Sequence, residues 1–402
     1  MLPLISWIGI MLASASLLAS LYILGFGIAG SALCGRPGPR VDSRKPHFLI
    51  LVPAHNEADG IRSTIESLLR VDYPRDRFRF VTIADNCEDD TARIAGDSGS
   101  EVWVRVDPVR RGKGQALSWA FARAMQSAFD LVVVIDADTN VLPGFLQAIA
   151  AEVAATSCDF DRVVFQGRYD FAPTGTKAGW FETFTIASKA AENSFVYRPR
   201  SAAGLVNLIQ GNGFCIPLAV LERVPFAAGS VVEDAEYAIA LALAGICVRY
   251  VDGARVESRM TRSIRDAAPQ RLRWASGIFQ LILSSVPRLL AAGIRQRSWK
   301  LIEGALMLVL SSRLVVLYAT LAAIGAAVVL LPVHGAATIL FLLAATIPVQ
   351  AAYLWMIFRR SAEKSFPLRD LFCMPAYLGI VGLAQAAAFL GIGRKRWART
   401  VR

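Results

Sequence analysis

The sequence has no paired cysteines. The scattered cysteines match neither the spacing of a structural zinc site nor a disulfide framework, so we expect neither. We expect the cysteines to be buried free thiols in a reducing compartment. Six of them are scattered along the 402 residues without a C-x-x-C pair: Cys34, Cys87, Cys158, Cys215, Cys247 and Cys373.

Common nucleotide-binding fingerprints are also missing. The stretch at 110–117, RRGKGQAL, lacks the third glycine of a dinucleotide fingerprint and the Gly-Lys-Ser/Thr of a P-loop. Both classes are therefore excluded. Lys113, which lies between two glycines at the start of a predicted helix, could still contact a phosphate through its charge and the helix N-terminus. The alternative is a flexible, solvated lysine.

Nucleic-acid motifs, internal repeats and low-complexity segments are absent as well. The chain is instead 54% hydrophobic, with a mean hydropathy of +0.44 and a net charge of +11. Basic clusters at 36–45, 288–300 and 394–402 each lie beside an apolar run. This placement favours contact with the anionic lipid headgroups of a bilayer, and we expect no nucleic-acid partner.

The apolar runs are at the two ends of the chain. The first, at 2–33, is long enough to span a bilayer, and lysine or arginine occurs only after it. The positive-inside rule therefore places the N-terminus outside and the next domain in the cytoplasm. A cleaved signal peptide is the competing interpretation, but the run is too long and has no basic n-region.

Three apolar blocks close the chain, at 301–331, 336–358 and 371–392. Glu303 and Arg313 in the first block are expected to face a helix bundle or a polar path. The last block, interrupted by Pro375, is predicted to be re-entrant or interfacial. This arrangement keeps the basic tail at 393–402 on the cytoplasmic side.

Alternating strand and helix patterns begin at residue 47. Strands are predicted at 48–52, 78–84, 102–106, 131–135 and 163–169, with helices ending near 69 and covering 91–95 and 114–127. This alternation predicts a mainly parallel, doubly wound sheet that binds ligands at the carboxyl ends of its strands. Charged and polar residues collect in the turns after those strands: His55, Asn56, Glu57, Asp85, Asp136 and Asp138.

Asp136 and Asp138 follow five apolar residues, at 131–135, that indicate a strand buried on both faces. At this spacing two carboxylates point the same way and repel each other unless a cation lies between them. Oxygen ligands suit Mg²⁺ or Mn²⁺. The alternative is a solvated acidic turn. The concentration of acids at one edge of the sheet favours the metal site.

Glu233 and Asp234 open a further predicted helix. Carboxylates at a helix N-terminus ordinarily stabilise the helix dipole, and a catalytic carboxylate is the alternative.

Another helix is predicted to start at Pro269, with Gln270, Arg273 and Trp274 on one face.

This second helix, with an apolar side and flanking arginines, suits the membrane interface. The alternative is a surface helix packed on the core, with Trp274 as filler.

Taken in order, the motifs PAHNE, ADN, GKG, DAD, ED and QRLRW resemble those of the membrane-integrated family 2 glycosyltransferases of the Q-x-x-R-W type. That family includes cellulose, hyaluronan and poly-N-acetylglucosamine synthases and the ceramide glucosyltransferases. The resemblance covers about 48–274 and the flanking membrane segments. It implies a GT-A fold, which is an α/β, Rossmann-like domain inserted between transmembrane helices, a UDP-sugar donor and a divalent cation, Mg²⁺ or Mn²⁺.

The resemblance also implies residue roles. Asp234 matches the catalytic base, with Glu233 beside it, and Asp138 and Asp136 match the metal-binding pair. The residues that would bind the donor are Pro53, His55, Glu57, Asp85, Lys113, Asp136, Gln270, Arg273 and Trp274.

The chain departs from the polymerising members in two respects. It has Val232 where those members have threonine before Glu-Asp, and it contains no FxVTxK-like gating loop or appended regulatory domain. We therefore leave open whether it makes a polymer or performs one transfer.

The sequence as a whole predicts a multi-pass inner-membrane enzyme with a cytoplasmic catalytic domain. The predicted divisions are a transmembrane helix at 1–35, the GT-A domain at 46–265, an interface helix at 266–297, transmembrane or re-entrant helices at 301–392 and a basic tail at 393–402.

The expected reaction is inverting transfer from a UDP-sugar to a polysaccharide or lipid-linked acceptor, which forms a β-glycosidic bond. Partner subunits of an export complex are possible companions. The alternatives are a single-transfer lipid glucosyltransferase with a ceramide-like or hopanoid-like acceptor, and a catalytically dead, nucleotide-sugar-binding membrane scaffold.

Overall fold

The computed structural model describes residues 2–33, 45–156, 160–175, 178–227, 229, 232–259, 264–310, 313–331, 336–362 and 368–391. The helices are α1 (Leu2–Leu33), α2 (Ile61–Leu69), α3 (Thr91–Asp97), α4 (Lys113–Ala124), α5 (Phe145–Ala155), α6 (Trp180–Glu192), α7 (Arg198–Ala202), α8 (Leu218–Arg223), α9 (Glu233–Leu243), α10 (Ile264–Arg295), α11 (Trp299–Leu310), α12 (Arg313–Val329), α13 (Ala336–Ala362) and α14 (Met374–Phe389). The strands are β1 (Phe48–Ala54), β2 (Phe78–Asp85), β3 (Glu101–Arg105), β4 (Leu131–Val134), β5 (Thr139–Val141), β6 (Val163–Ala172), β7 (Phe214–Pro217) and β8 (Cys247–Arg259).

The strands form one sheet in the order β3-β2-β1-β4-β7-β6-β8-β5. The half from β3 to β4 is parallel, as the sequence predicts. In the other half, β7 is antiparallel to both β4 and β6, and β5 is antiparallel to β8, while β6 and β8 are parallel. The expectation of a mainly parallel sheet therefore holds for one half only, and the sheet is mixed.

Hydrophobic clusters cover both faces of this sheet. Alternate residues of β1 divide between them, with Leu49 and Leu51 in one cluster and Phe48, Ile50 and Val52 in the other. All four residues of β4 are buried, as expected for a strand covered on both faces. Because β1, β2 and β4 are parallel, their carboxyl ends bring the turns after them to one edge of the sheet.

Helix α10 begins at Ile264, so the prediction that this helix starts at Pro269 is wrong. A proline inside a helix removes one backbone hydrogen bond. Helix α10 nevertheless continues through Pro269, and it packs against α9, α11 and α14. Leu281 and Leu289 are buried in the core, whereas Leu283 and Ile294 are exposed. One side of α10 therefore packs on the catalytic domain, as the surface-helix alternative expects.

Within the described residues, three helical segments are long and apolar enough to cross a membrane, judged by length and composition: Pro3–Leu33, Ala267–Arg295 and Ala336–Arg359. The predicted block at 301–331 comprises two helices, α11 and α12. The predicted last block is the 16-residue helix α14, with Pro375 in its first turn. The basic residues Arg36, Arg40 and Arg44 and the tail at 393–402 lie outside the described residues.

Glu303 on α11 forms an ion pair with the buried Arg200 of α7, with Nη2 and Oε2 2.6 Å apart. The hydroxyl of Tyr22 on α1 donates a hydrogen bond to the same carboxylate. This cluster joins the first apolar helix to the α/β domain and to the C-terminal helices. Glu303 thus faces other helices, as predicted for a charge within an apolar block.

The cysteines differ in exposure, and the expectation that all are buried is wrong. Cys215 on β7 is buried, Cys87 and Cys373 are half-buried, and Cys247 is exposed at the start of β8. All four are free thiols, which agrees with the prediction. Cys34 and Cys158 lie outside the described residues.

Candidate active site

A cavity of about 1630 Å³ opens at the carboxyl edge of the sheet. Every site residue predicted from the sequence lines it: Pro53, His55, Glu57, Asp85, Lys113, Asp136, Asp138, Glu233, Asp234, Gln270, Arg273 and Trp274. The structure therefore brings together loops that are more than 200 residues apart in the chain. The individual roles of these residues stay predictions.

At one end of the cavity, Asp85 is held rigidly. Arg105 Nη1 donates to Asp85 Oδ1 at 2.5 Å, and both side chains are buried. Asn86 Nδ2 donates to the same oxygen, and His55 Nδ1 lies 2.7 Å from the backbone oxygen of Asp85. The Oδ2 atom is left to accept a hydrogen bond from a ligand. Sequence reasoning missed Arg105 because it lies inside β3, without a motif.

Lys113 connects the loop of Asp136 with the loop of Gly211. Its ammonium donates to Asp136 Oδ1 and, at 2.5 Å, to the backbone oxygen of Gly211. Burial lowers the pKa of Lys113, but the neighbouring carboxylates of Asp136, Glu233 and Asp234 together outweigh this effect and raise the pKa above its usual value. The lysine therefore stays charged at neutral pH, and its two hydrogen bonds argue against a flexible, solvated side chain.

Asn212 positions Asp136 and was missed as a site residue. The backbone N–H of Asp136 donates to Asn212 Oδ1 at 3.1 Å, and Asn212 Nδ2 donates to Thr139 Oγ1 at 2.8 Å. The side chain is fully buried. Gly211, on one side of it, has a φ of +77°, a conformation that favours glycine. The Gly-Asn-Gly sequence was visible, but its partner could not be known without the fold.

Glu233 and Asp234 form the first turn of α9 and are half-buried in the cavity. Burial, with the like charge of Asp234, raises the pKa of Glu233 to about 7. Burial also raises the pKa of Asp234, although the Lys113 ammonium opposes the shift. A purely dipole-stabilising carboxylate would have a lowered pKa. A raised pKa matches the requirement for a general base near neutral pH.

Asp234 lies very close to the Gly211 backbone. A Cβ atom on Gly211 would lie 2.7 Å from Asp234 Oδ2 and 3.8 Å from Lys113 Nζ. The base candidate, the lysine and Asp136 therefore surround one short segment of backbone.

Asp136 and Asp138 offer the oxygen donors that Mg²⁺ and Mn²⁺ prefer. Among the described residues, no group of three or more His, Cys, Asp and Glu side chains comes together. A divalent ion would therefore need ligand oxygens or water to complete its shell. Lys113 already engages Asp136 Oδ1, so an ion at this site would share that carboxylate with the lysine. The residues fit an ion that is shared with a bound phosphate.

Helix α10 closes the cavity beside α9. Gly277 permits this approach, because a Cβ atom there would lie 2.5 Å from Val232 Cγ1, directly before Glu233. The helix thereby presents Gln270, Arg273 and the 40% exposed Trp274 to the cavity. The QRLRW segment and the candidate base thus line the same cavity.

Comparison with protein families gives two matches. The family model described as "Glycosyl transferase family group 2" matches residues 131–358, which is more than half of the chain, and the model described as "Glycosyl transferase family 2" matches residues 49–211.

Two curated proteins are similar in sequence. "Probable glycosyltransferase YdaM" of Bacillus subtilis (strain 168) is 24% identical over 267 residues, covering 59% of this chain and 56% of that protein. "Cellulose synthase catalytic subunit [UDP-forming]" of Pseudomonas fluorescens (strain SBW25) is 25% identical over 261 residues, covering 62% of this chain and 33% of that protein. The matched region thus spans about half or less of these relatives.

Among solved structures, the mannosyltransferase PcManGT from Pyrobaculum calidifontis in complex with GDP-Man and Mn²⁺ is similar over 95% of this chain and 99% of its own. The TM-score is 0.58 and the sequence identity 18%. This similarity confirms the predicted GT-A fold.

Proposed function

We propose a specific reaction from the premise that this chain belongs to glycosyl transferase family group 2 and is therefore a sugar transferase. The chain transfers a sugar from a UDP-sugar to a polysaccharide or lipid-linked acceptor at a cytoplasmic membrane. The reaction is an inverting displacement that forms a β-glycosidic bond. The observation that carries this proposal is the convergence of Asp234, Lys113 and Asp136 around Gly211 in one cavity.

The nucleoside end of the donor would bind at the turns after β1 and β2. Asp85 is fixed there by Arg105, so its free oxygen can accept a hydrogen bond from the base or ribose without losing its orientation. Pro53, His55 and Glu57 line the same end. A rigid carboxylate lowers the ordering cost of binding.

The leaving diphosphate needs positive charge. Lys113, whose pKa is raised, supplies an ammonium in a cleft, where hydrogen bonds to phosphate are strong. Arg273 on α10 supplies a guanidinium that also interacts with Glu233. A divalent ion bound at Asp138 and Asp136 would neutralise further charge on the diphosphate as a Lewis acid.

The acceptor hydroxyl must lose its proton as it attacks the anomeric carbon. Asp234 is the proposed base, because burial raises its pKa and because it lies with Lys113 beside the Gly211 backbone. Burial and the charge of Asp234 raise the pKa of Glu233, and the proposed role of Glu233 is to orient Asp234. A single displacement inverts the anomeric centre, so an α-linked donor gives a β-linked product.

The identity of the nucleotide is supported by relatives of different kinds. The similar Pseudomonas protein carries UDP-forming in its name, and the similar Pyrobaculum structure contains GDP-Man and Mn²⁺. Both are consistent with a nucleotide-diphosphate sugar, and the latter with a divalent ion. We propose UDP as the nucleotide and Mg²⁺ or Mn²⁺ as the ion.

Membrane integration is proposed from the chain itself. The three apolar segments at Pro3–Leu33, Ala267–Arg295 and Ala336–Arg359 have the length and composition of membrane spans. The predicted topology is multi-pass in the inner membrane, with the catalytic domain in the cytoplasm, where nucleotide sugars are made.

The test is donor turnover by the purified protein in nanodiscs. UDP-glucose, UDP-N-acetylglucosamine, UDP-galactose and GDP-mannose are offered separately with Mn²⁺ or Mg²⁺, and nucleoside diphosphate release is measured. Products are then analysed by mass spectrometry for length and by NMR for anomeric configuration. Release from a UDP-sugar with a β-linked product supports the proposal. A retained anomeric configuration, or binding of all donors without any turnover, contradicts it and favours the scaffold alternative.

A further inference from the structure

The cavity extends well beyond the proposed donor site. Besides Asp234, its lining includes Tyr169 and Tyr197 and a second group of residues from α6, α10 and α14. We call the part of the cavity at this second group the acceptor end, and its lining includes Arg271, Thr185, Tyr377, Val381, Ala384 and Ile278. None of these residues belongs to the predicted site.

Arg271 is held in place at the acceptor end by aromatic rings. Its guanidinium carbon lies 4.9 Å from the centre of the Phe181 ring and 5.3 Å from that of Tyr377. Its Nη2 atom donates to Thr185 Oγ1 at 2.7 Å and weakly to the Tyr377 hydroxyl at 3.5 Å. Cation–π contacts on two rings fix the plane of the guanidinium.

The charge of Arg271 is not balanced by a protein carboxylate. Across the described part of the chain, this guanidinium donates to hydroxyl groups and to no carboxylate, and its Nε has no hydrogen-bond partner. Other arginines in this domain with little exposure behave differently, since Arg105 pairs with Asp85 and Arg168 pairs with Asp170. A partly buried cation without a carboxylate is costly unless an anion is supplied.

The walls around Arg271 are apolar. Tyr377, Val381 and Ala384 recur at three- to four-residue intervals and so share one face of α14. At the far end of α14, Phe389 and Leu390 line the cavity while 67% and 73% exposed. The acceptor end therefore opens onto the apolar helices through side chains that favour hydrocarbon contact.

We infer that the acceptor is an anionic amphiphile whose phosphate binds Arg271 while its hydrocarbon lies along α14. A planar guanidinium binds phosphate oxygens in pairs. A lipid phosphate combines the charge that Arg271 lacks with the chain that the apolar walls accommodate. A soluble phosphorylated sugar would supply the charge only. This inference rests on the proposed function, and it names the acceptor class of the same cavity.

The test compares three probes on the protein in a neutral maltoside detergent. Dissociation constants for farnesyl phosphate, farnesol and inorganic phosphate are measured by thermophoresis for the unchanged chain, Arg271→Gln and Arg271→Lys. Arg288→Gln is the matched control, because Arg288 is an exposed arginine on the same helix and does not line the cavity. UDP affinity is measured in parallel on every variant.

We expect farnesyl phosphate to bind the unchanged chain more tightly than either other probe. Arg271→Gln should weaken this binding about tenfold or more, the loss expected when a hydrogen bond to a charged group is removed. Arg271→Lys should lose less, Arg288→Gln nothing, and UDP affinity should stay constant in all. Arg271→Lys also keeps the test valid if the glutamine variant does not fold.

Four results would overturn the inference. If farnesol binds as tightly as farnesyl phosphate, the ligand does not need an anionic group. If inorganic phosphate binds as tightly as farnesyl phosphate, the ligand is a soluble phosphate. Unchanged farnesyl phosphate binding in both Arg271 variants would show that Arg271 does not bind the phosphate. A parallel loss of UDP affinity would assign Arg271 to the donor. Failure of the proposed function is distinguishable, because it appears as absent nucleotide-sugar turnover in the unchanged chain.

Discussion

Gly211→Ala should impair transfer without removing any reacting group. The added Cβ would lie 2.7 Å from Asp234 Oδ2, so the two atoms must separate by about 0.7 Å to reach an ordinary contact of 3.4 Å. A displacement of about 1 Å at a reacting group can cost about 10²-fold in rate. We therefore expect kcat to fall roughly 30- to 100-fold.

Backbone strain adds a separate effect. Gly211 has a φ of +77°, and a non-glycine residue in this region costs roughly 1–2 kcal/mol. Gly245→Ala is the matched control, because Gly245 has a φ of +74° and no heavy atom within 4 Å of its added Cβ. It should lose similar stability and keep its turnover.

The assay measures nucleoside diphosphate release, donor affinity by calorimetry and the thermal unfolding midpoint for both variants. Donor affinity should change little in Gly211→Ala, because the new Cβ stays 3.8 Å from Lys113 Nζ. Equal turnover in Gly211→Ala and Gly245→Ala would refute the close contact between the Gly211 backbone and the base.

Three further predictions concern the metal, the pH and the membrane. Asp138→Ala should abolish activity, and EDTA should do the same to the unchanged chain; turnover in EDTA would remove the metal from the account. Because burial raises the pKa of Glu233 to about 7 and also raises that of Asp234, kcat/KM should be full above the pKa values of this pair and should fall as the pH drops through them. An acid limb near pH 4, the value of an ordinary carboxyl, would contradict the burial argument. Reporter enzymes fused after Arg40 and after Ser298 should both be active in the cytoplasm, and a periplasmic signal from either would reverse the topology.

The donor half of the site was predictable because each of its motifs follows a strand. The apolar run at 131–135 indicated a buried strand, and parallel neighbours bring Asp85 and Asp136 to the same edge of the sheet. The second half of the sheet was harder. Strand β5 has three residues and β7 has four and ends in Pro217, too short for periodicity to be read.

Residues that act through others escaped the sequence analysis. Asn212 and Arg105 hold Asp136 and Asp85 by long-range contacts that separate loops make only after folding. The start of α10 was misplaced because Pro269 is a common first residue of a helix, whereas here packing on α9, α11 and α14 accompanies a helix that continues through it. Burial of cysteines also depends on position, as exposed Cys247 at the start of β8 shows.

The central claim is that Asp234 removes the proton from the acceptor. Asp234→Asn retains the shape of the side chain but cannot accept this proton, and loss of a general base lowers rates by roughly 10²–10⁴-fold. The measurement is turnover together with UDP affinity, with Glu233→Gln as a milder control. The account predicts a rate loss of that size with nearly unchanged UDP affinity. Near-normal turnover in Asp234→Asn would contradict it, and weakened UDP binding would assign Asp234 to the donor.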